Sequence, residues 1–306
     1  MKTKLTITIP CVMAILLAIC LTQPGCSKSS NAGGGSGSAS ATSVQNIGSD
    51  TMVNLAQAWA EEYHKVDPSV SVEVVGGGSG IGIAALINGT ADIANSSRKL
   101  EAAEVEKAKA KHGHDPREFM VGYDALSIFV HKNNPLTEIS LDDLAEIYKE
   151  GGATTKWSQL GVQNIPGAQG DDIVRVSRQN NSGTYHYFRE VVIGKKGDFK
   201  AGSVDLNGSK DVVETIARTP NAIGYSGLGY ATPEVKIIKV AKKKGEPAIQ
   251  PSIETTLNKT YPIARPMFMY TPGNPPPHIQ KYLDWIISDT GQKIVKDTGY
   301  IPLPKK

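Results

Sequence analysis

Short strand patterns alternate with helical patterns along this chain from Val44 onward, and this alternation constrains the fold most strongly. Val70, Val72 and Val74 alternate with other residues, as in a half-buried strand. One apolar stripe at helical spacing precedes this strand and consists of Met52, Leu55, Ala56, Trp59, Ala60 and Tyr63. Short strands that alternate with helices are typical of α/β proteins, so the sequence predicts an α/β fold.

The first 25 residues predict a signal peptide. Lys2 and Lys4 precede an apolar run at residues 11–21, which is 11 residues long. A membrane-spanning helix needs about 20 residues, so this run is typical of the apolar region of a secretory signal. A buried core helix is the alternative, but a polar, glycine-rich stretch follows the run directly.

Residues 26–43 predict an anchor followed by a flexible tether. Gly25-Cys26 resembles the lipidation site of bacterial lipoproteins, although Gln23 stands where an aliphatic residue is typical. Gly, Ser and Ala dominate the residues after Cys26, and this composition cannot bury a core. We therefore expect a lipid anchor on Cys26, with cleavage alone as the alternative. The protein would then lie in the periplasm or at the cell surface.

The charge and cysteine content exclude several classes of protein. Because Lys2 and Lys4 belong to the predicted signal, the formal net charge of +3 falls to +1 for the remaining chain. This value argues against a nucleic-acid binder that relies on a broad basic field. Cys11 and Cys20 leave with the signal, so Cys26 has no partner for an intrachain disulfide.

Three predicted strand-to-helix turns combine glycines with hydroxyl side chains. We name them loop 1 (residues 48–51), loop 2 (residues 76–80) and loop 3 (residues 178–184). Helix N-termini present unpaired N–H groups and partial positive charge, and glycine lets a ligand approach the backbone. Arg178 adds a planar fork that matches an oxyanion. Each loop alone is typical of a helix cap, but together they predict an anion site.

No constellation of catalytic or cofactor-binding residues is visible. Gly80, Gly82 and Ala85 fit a dinucleotide fingerprint, but an exported chain rarely meets that cofactor. Ser79 is no nucleophile elbow, because Ile81 stands where that motif needs glycine. The six histidines form no metal-binding spacing. We therefore expect no cofactor, no metal and no catalysed reaction.

Five segments of the chain carry a resemblance to a known family. They are GSDTMVNLAQAWA, VSVEVVGGGSGIGIAALINGTADIANSSR, RQNNSGTYHYF, NAIGYSGLGYA and YPIARPMFMYTPG. With these segments the chain resembles the phosphate-binding proteins of bacterial phosphate-specific ABC transporters. The resemblance covers roughly residues 44–304 and implies the type II periplasmic binding protein fold, with a ligand cleft between two domains. It implies a discontinuous domain I, at 44–131 plus 236–306, and an inserted domain II, at 132–235.

The resemblance also implies a set of phosphate-binding residues. Carried over to this sequence, they are Ser49, Asp50, Thr51, Ser79, Arg178, Ser182, Gly183 and Thr184. We add Arg98 as a candidate, which would either aid the anion directly or pair with Asp50.

This sequence departs from the best-known branch of the family at one position. A carboxylate there accepts the proton of hydrogen phosphate, whereas this chain has Ser96, Ser97 and Arg98 at that place. We hypothesise that Asp50 in loop 1 has taken over as the acceptor, since a buried carboxylate tolerates a protonated phosphate and repels sulfate. The alternative is that Asp50 only caps the helix that follows it.

The sequence as a whole predicts a monomeric, lipid-tethered receptor for inorganic phosphate. It would deliver phosphate to the permease subunits of an ABC importer in the inner membrane. The alternatives are a receptor for another tetrahedral oxyanion or a phosphate ester, a sensor or scavenger without a permease, and an exported phosphoryl-transfer enzyme.

Overall fold

The computed structural model describes residues 41–305, which form alternating strands and helices. The strands of this range are Thr42–Gly48 (β1), Val70–Val75 (β2), Ile93–Ser96 (β3), Arg117–His131 (β4), Glu138–Ser140 (β5), Val174–Arg178 (β6), Val204–Leu206 (β7), Ala222–Gly227 (β8), Val235–Ala241 (β9) and Ala264–Thr271 (β10). Its α-helices are Val53–Val66 (α1), Ser79–Asn88 (α2), Ala102–His112 (α3), Leu141–Tyr148 (α4), Gly183–Phe188 (α5), Ser209–Arg218 (α6), Ile253–Leu257 (α7), Pro277–Ile286 (α8) and Asp289–Asp297 (α9). The predicted α/β class is confirmed.

The strands join in the order β2-β1-β3-β10-β4-β8-β6-β7, and β9 pairs with β4 and β5. β1 runs parallel to β2 and β3, and β6 runs parallel to β7 and β8. β10 runs antiparallel to β3 and β4. The two halves of the sheet therefore each contain parallel strands, and β4 connects them.

The long strand β4 changes partners midway. Up to Ala125 it pairs with β10, and from Leu126 onward it pairs with β8 and β9. β9, which the resemblance assigns almost entirely to domain I, also pairs with β5, which it assigns to domain II. The division into two domains stays a prediction, and we propose that its boundaries lie near residues 125/126 and 263/264.

The first half of the sheet is covered by α1, whose apolar face the sequence predicted, and by α8 and α9. Leu55, Trp59 and Tyr63 of α1 are buried in one cluster with Tyr282 and Ile286 of α8. The indole Nε1 of Trp59 donates to the Gly291 carbonyl at 2.8 Å and ties α1 to α9. The helix predicted from the stripe beginning at Met52 is confirmed, starting as an α-helix at Val53 after a short 3₁₀ turn.

In the second half, aromatic side chains pack α4 and α5 against the sheet. Phe188 of α5 stacks on Tyr225 of β8 with ring centroids 3.8 Å apart. The hydroxyl of Tyr148 in α4 donates to the carbonyls of Val176 and Ile223 in two neighbouring strands. The stacking of Phe188 fixes α5, which begins at Gly183 within loop 3.

The N-terminal predictions lie almost entirely outside the described residues, including the signal peptide and Cys26. The first strand begins at Thr42, so the predicted tether ends about two residues earlier than expected. None of the helices between residues 41 and 305 is both long enough and apolar enough to cross a membrane.

Candidate functional site

The three loops follow the carboxyl ends of strands that run parallel within each half of the sheet. Loop 1 follows β1, loop 2 follows β2, and loop 3 begins at the end of β6. Ligands of open α/β sheets bind outside such strand ends. The topology therefore places the three loops where a ligand site is expected.

Loop 1 is anchored to the neighbouring strand. The Ser49 amide donates to the Asn95 carbonyl at 2.9 Å, which ties loop 1 to β3. Ser49 and Thr51 are buried, and the Tyr300 hydroxyl donates to the Thr51 carbonyl. The loop thus holds two buried hydroxyl side chains at the start of α1.

Loop 2 places Ser79 at the first position of α2. The Ser79 hydroxyl oxygen accepts from the Ser97 amide at 3.1 Å and lies 3.3 Å from the Ser97 hydroxyl. Gly78 precedes the helix with a φ of 106°, and a Cβ there would lie 2.7 Å from the Asn181 carbonyl oxygen. Only glycine permits this backbone conformation and this approach to loop 3.

Loop 3 begins α5 with a hydroxyl cap. The Ser182 oxygen accepts from the amides of Thr184 at 3.1 Å and Tyr185 at 3.4 Å. Gly183 follows, and a Cβ at this position would lie 2.4 Å from Ser79 Oγ and 2.6 Å from Ser97 Oγ. The start of α5 therefore lies directly against the start of α2.

Contacts between the loops join all three into one cluster. Thr51 Oγ1 and Thr184 Oγ1 are 2.8 Å apart, and both are buried. The Gly80 amide donates to the Asn181 carbonyl at 3.0 Å, and Asn181 Nδ2 donates to the Gly77 carbonyl at 2.9 Å. The structure thus brings together the residues that the sequence selected from the three loops.

Arg178 is almost fully buried, with 1% of its side chain exposed. Its Nη1 donates to Ser209 Oγ at 2.8 Å, and its Nε donates to the Asn207 carbonyl at 3.1 Å. Its Nη2 lies 3.3 Å from Asp50 Oδ2 and also donates to the Asn207 carbonyl. Ser209 is the first residue of α6, and its hydroxyl orients Arg178.

The Asp50 carboxylate links loop 1 to both loop 2 and loop 3. Its Oδ1 accepts from the Gly77 amide at 3.1 Å, and its Oδ2 faces Arg178. Burial raises the pKa of Asp50, and the Gly77 hydrogen bond and the Arg178 charge oppose this rise. Both hydrogen-bond partners of this carboxylate therefore lie outside α1.

Arg98 contacts neither Asp50 nor loop 3. Its Nη1 and Nη2 each donate to the Glu104 carboxylate at 2.7 Å, and Nη1 also donates to the Lys99 carbonyl. The predicted pairing of Arg98 with Asp50 is therefore wrong, because Glu104 at the start of α3 takes up the guanidinium. Direct binding of an anion by Arg98 stays a prediction; its Nε has no hydrogen-bond partner among the described residues.

The structure adds two charged residues that the sequence analysis missed. Asp124 of β4 and Arg265 of β10 face each other in the antiparallel ladder, and both are buried. Arg265 Nη2 lies 2.8 Å from Asp124 Oδ2 and 2.9 Å from Thr184 Oγ1. A charged residue within each of two apolar strands was the available signal, since buried charges need partners.

A cavity of about 710 Å³ borders the cluster. Ser97 and Arg265 line it on the side of the loops, and Arg98, His186 and Phe268 line it elsewhere. Among residues 41–305, no group of three or more His, Cys, Asp or Glu side chains is placed to hold a metal ion. The groups offered to a ligand at the loops are therefore hydroxyls, amides, two arginines and carboxylates.

Comparison with known proteins places this chain in a family. Residues 34–290 match the PBP superfamily domain. The phosphate-binding protein PstS of Pseudomonas aeruginosa is 35% identical over 271 residues, which cover 86% of this chain and 84% of that protein. Protein SphX of Synechococcus elongatus is 33% identical over 273 residues, covering 85% of this chain and 77% of that protein.

Solved structures agree with these relatives. A phosphate ABC transporter substrate-binding protein with bound phosphate from Clostridium perfringens is 29% identical, with a TM-score of 0.74, and the match covers 86% of this chain and all of that one. An ABC-type phosphate transport receptor from Vibrio cholerae is 26% identical, with a TM-score of 0.66, and covers 85% of this chain and all of that one. The chain therefore belongs to the PBP superfamily, among its PstS-type phosphate-binding substrate-binding proteins.

Proposed function

We propose that this protein captures inorganic phosphate outside the cytoplasmic membrane and delivers it to an ABC-type importer. The observation that carries this proposal is the single cluster formed by loops 1, 2 and 3 around buried hydroxyls and Arg178. Such a cluster offers an oxyanion many donors without a basic surface. The named relatives from P. aeruginosa and C. perfringens bind phosphate, which supports the same ligand here.

The proposed ligands divide between the two halves of the sheet. The first half supplies Ser49, Asp50, Thr51 and Ser79, and the second half supplies Arg178, Ser182, Gly183 and Thr184. Closure of the two halves around phosphate would complete the set of donors, and hinge closure around a ligand is a common switching mode. The direct contacts between loops 2 and 3 support this closed arrangement.

The proposal also covers the membrane anchor, the oligomeric state and the absence of catalysis. Lipidation of Cys26 and a tether before Thr42 would keep the receptor close to the importer. The protein would act as a monomer and would catalyse no reaction on phosphate. An exported phosphoryl-transfer enzyme is the rival function, and turnover of a phosphate ester by the purified protein would favour it.

Calorimetric titration tests the ligand. Phosphate, sulfate and arsenate are titrated into metal-free protein near pH 7.5, after unfolding and refolding to remove any carried-over ligand. We expect tight phosphate binding that needs no metal, and no heat from sulfate. The absence of phosphate binding by a correctly refolded protein would refute the proposal.

Asp50 is the proposed acceptor for the proton of hydrogen phosphate. Replacing Asp50 with asparagine removes the negative charge, and an amide can donate to a fully ionised anion. We expect the preference for phosphate over sulfate to fall by about 100-fold, since an unpaired buried charge is the strong form of discrimination. The affinities of both anions, measured by calorimetry, give this ratio.

Asp211→Asn serves as the matched control for Asp50→Asn. Asp211 lies in the first turn of α6 and accepts from the Gly208 amide at 3.0 Å, away from the loops' hydroxyls. It contributes negative charge near Asp50 without contacting it. We expect this variant to retain the selectivity of the wild type. If Asp50→Asn behaves the same way, Asp50 is not the acceptor.

A further inference from the structure

Asp124 and Arg265 form an ion pair at the centre of the sheet. They are register partners of β4 and β10, and the exposed fractions of their side chains are 0% and 1%. Asp124 Oδ2 accepts from Arg265 Nε at 3.1 Å and Nη2 at 2.8 Å, while its Oδ1 accepts from the Leu228 amide at 3.2 Å. This arrangement fixes the plane of the guanidinium.

The same guanidinium reaches residues from both halves of the proposed site. Its Nη2 lies 2.9 Å from Thr184 Oγ1 and 3.4 Å from Thr51 Oγ1, while its Nη1 donates to the Ser97 carbonyl at 3.2 Å. Nη2 carries two hydrogens, one directed at Asp124 and one at the pair of threonine hydroxyls. Arg265 is therefore the one described arginine that contacts the hydroxyls of both loop 1 and loop 3.

The chemistry of these groups sets the direction of the hydroxyl protons. A guanidinium only donates, so the threonine oxygens accept from Arg265 through their lone pairs. One threonine hydroxyl donates to the other across the 2.8 Å contact. Whichever hydroxyl is the donor, the other keeps a proton that neither Arg265 nor its neighbour accepts. That proton is available to an acceptor such as an anion oxygen.

We infer that Arg265, held by Asp124, is a positioning residue that makes the hydroxyl pair of Thr51 and Thr184 direct its one free proton toward phosphate. The inference rests on the proposed function, because it concerns the same site. The rival interpretation is purely structural and holds that the pair only joins β4 to β10. In that case Arg265 and Thr184 contribute independently to phosphate affinity.

A double-mutant cycle separates these two interpretations. Phosphate dissociation constants are measured by calorimetry for the wild type, Arg265→Lys, Thr184→Val and the double variant. If Arg265 acts through the Thr184 hydroxyl, the double variant should bind about as well as the weaker single variant. The fold-loss of phosphate affinity in the double variant should then be smaller, by about tenfold or more, than the product of the two single fold-losses. Such a difference is typical of directly coupled residues. Thr184→Ser keeps the hydroxyl and should bind phosphate nearly as the wild type does.

Asn181→Ala supplies the matched control cycle. Asn181 donates to the Gly77 carbonyl and does not contact Arg265, so its effect should multiply with that of Arg265→Lys. Circular dichroism establishes folding, and if Arg265→Lys does not fold, Asp124→Asn takes its place in both cycles. Multiplicative losses in the Thr184 cycle as well would overturn the inference. If the wild type binds no phosphate, the proposed function fails instead.

Discussion

Gly183→Ala should weaken phosphate binding by about 10- to 100-fold, because an inserted methyl in a closely packed contact costs about 1–3 kcal/mol. The added Cβ would lie 2.4 Å from Ser79 Oγ and 3.0 Å from Ser79 Cβ. Ser79 is fully buried at the start of α2, so it has little room to move away. The two helix starts would therefore separate, and calorimetric titration of phosphate measures the loss.

The effect of Gly183→Ala should appear in binding and not in folding. Alanine favours a helix over glycine by about 1 kcal/mol, so the unliganded variant should keep its melting temperature. Gly122→Ala is the control, since its Cβ would meet the Ile301 carbonyl at 3.2 Å, away from the loops. This control should cost some stability and retain phosphate affinity. Wild-type affinity in Gly183→Ala would contradict the proposed closure between Ser79 and Gly183.

The sequence predicted the three loops because each carries a local signal. Glycines and hydroxyls between a strand pattern and a helix stripe are visible within a few residues, as in residues 76–80. The convergence of the loops follows from parallel strands that end at the same edge of a sheet. Loop 2 leads directly into α2, and Gly89 ends that helix in the left-handed conformation.

The residues that the sequence analysis missed depend on pairing across long separations. Asp124 and Arg265 are register partners of β4 and β10, and no local pattern gives the register of two distant strands. Likewise, Arg98 was a candidate partner of the anion or of Asp50. In the structure its guanidinium donates to both oxygens of the Glu104 carboxylate. A pair with a carboxylate a few residues along the chain competes with a pair to a carboxylate distant in sequence. The sequence alone does not show which of the two pairs forms.

Local sequence patterns also do not reveal the domain boundaries. The resemblance implied a first crossing at residues 131/132, and a run of apolar residues within a strand gives no sign of a change of partner. In the structure, β4 is one strand of 15 residues that exchanges β10 for β8 and β9 midway. A single continuous strand thus belongs to both halves of the sheet.

Arg178→Met should have the largest effect of any single substitution in the loops. It removes the cation that faces Asp50 and leaves the Asn207 carbonyl and Ser209 hydroxyl without their donor. Truncation of a buried charged partner at a binding site costs about 2–5 kcal/mol of binding free energy, so phosphate affinity should fall by about 1,000-fold. Arg178→Lys keeps the charge but not the planar fork, and its affinity should be intermediate.

Arg175→Met is the control for Arg178→Met. Arg175 lies on the same strand and donates to the Ala201 carbonyl at 2.7 Å, with no contact to the loops. We expect its phosphate affinity to match that of the wild type, as measured by calorimetry. Equal losses in the two variants would mean that the loss reflects strand β6 and not the Arg178 guanidinium.

The pH dependence of stability offers an independent check on Arg178. Burial already raises the pKa of Asp50, and Arg178 opposes this rise. Without Arg178 the folded-state pKa of Asp50 should rise further, so the folded protein holds that proton more tightly than the unfolded chain does. Stability then falls as pH rises from the unfolded pKa to the folded pKa of Asp50, and lower pH relieves the penalty. Arg178→Met should therefore gain melting temperature on acidification relative to the wild type. Adding Asp50→Asn to Arg178→Met should remove that difference, because no carboxylate is then left to titrate between the loops.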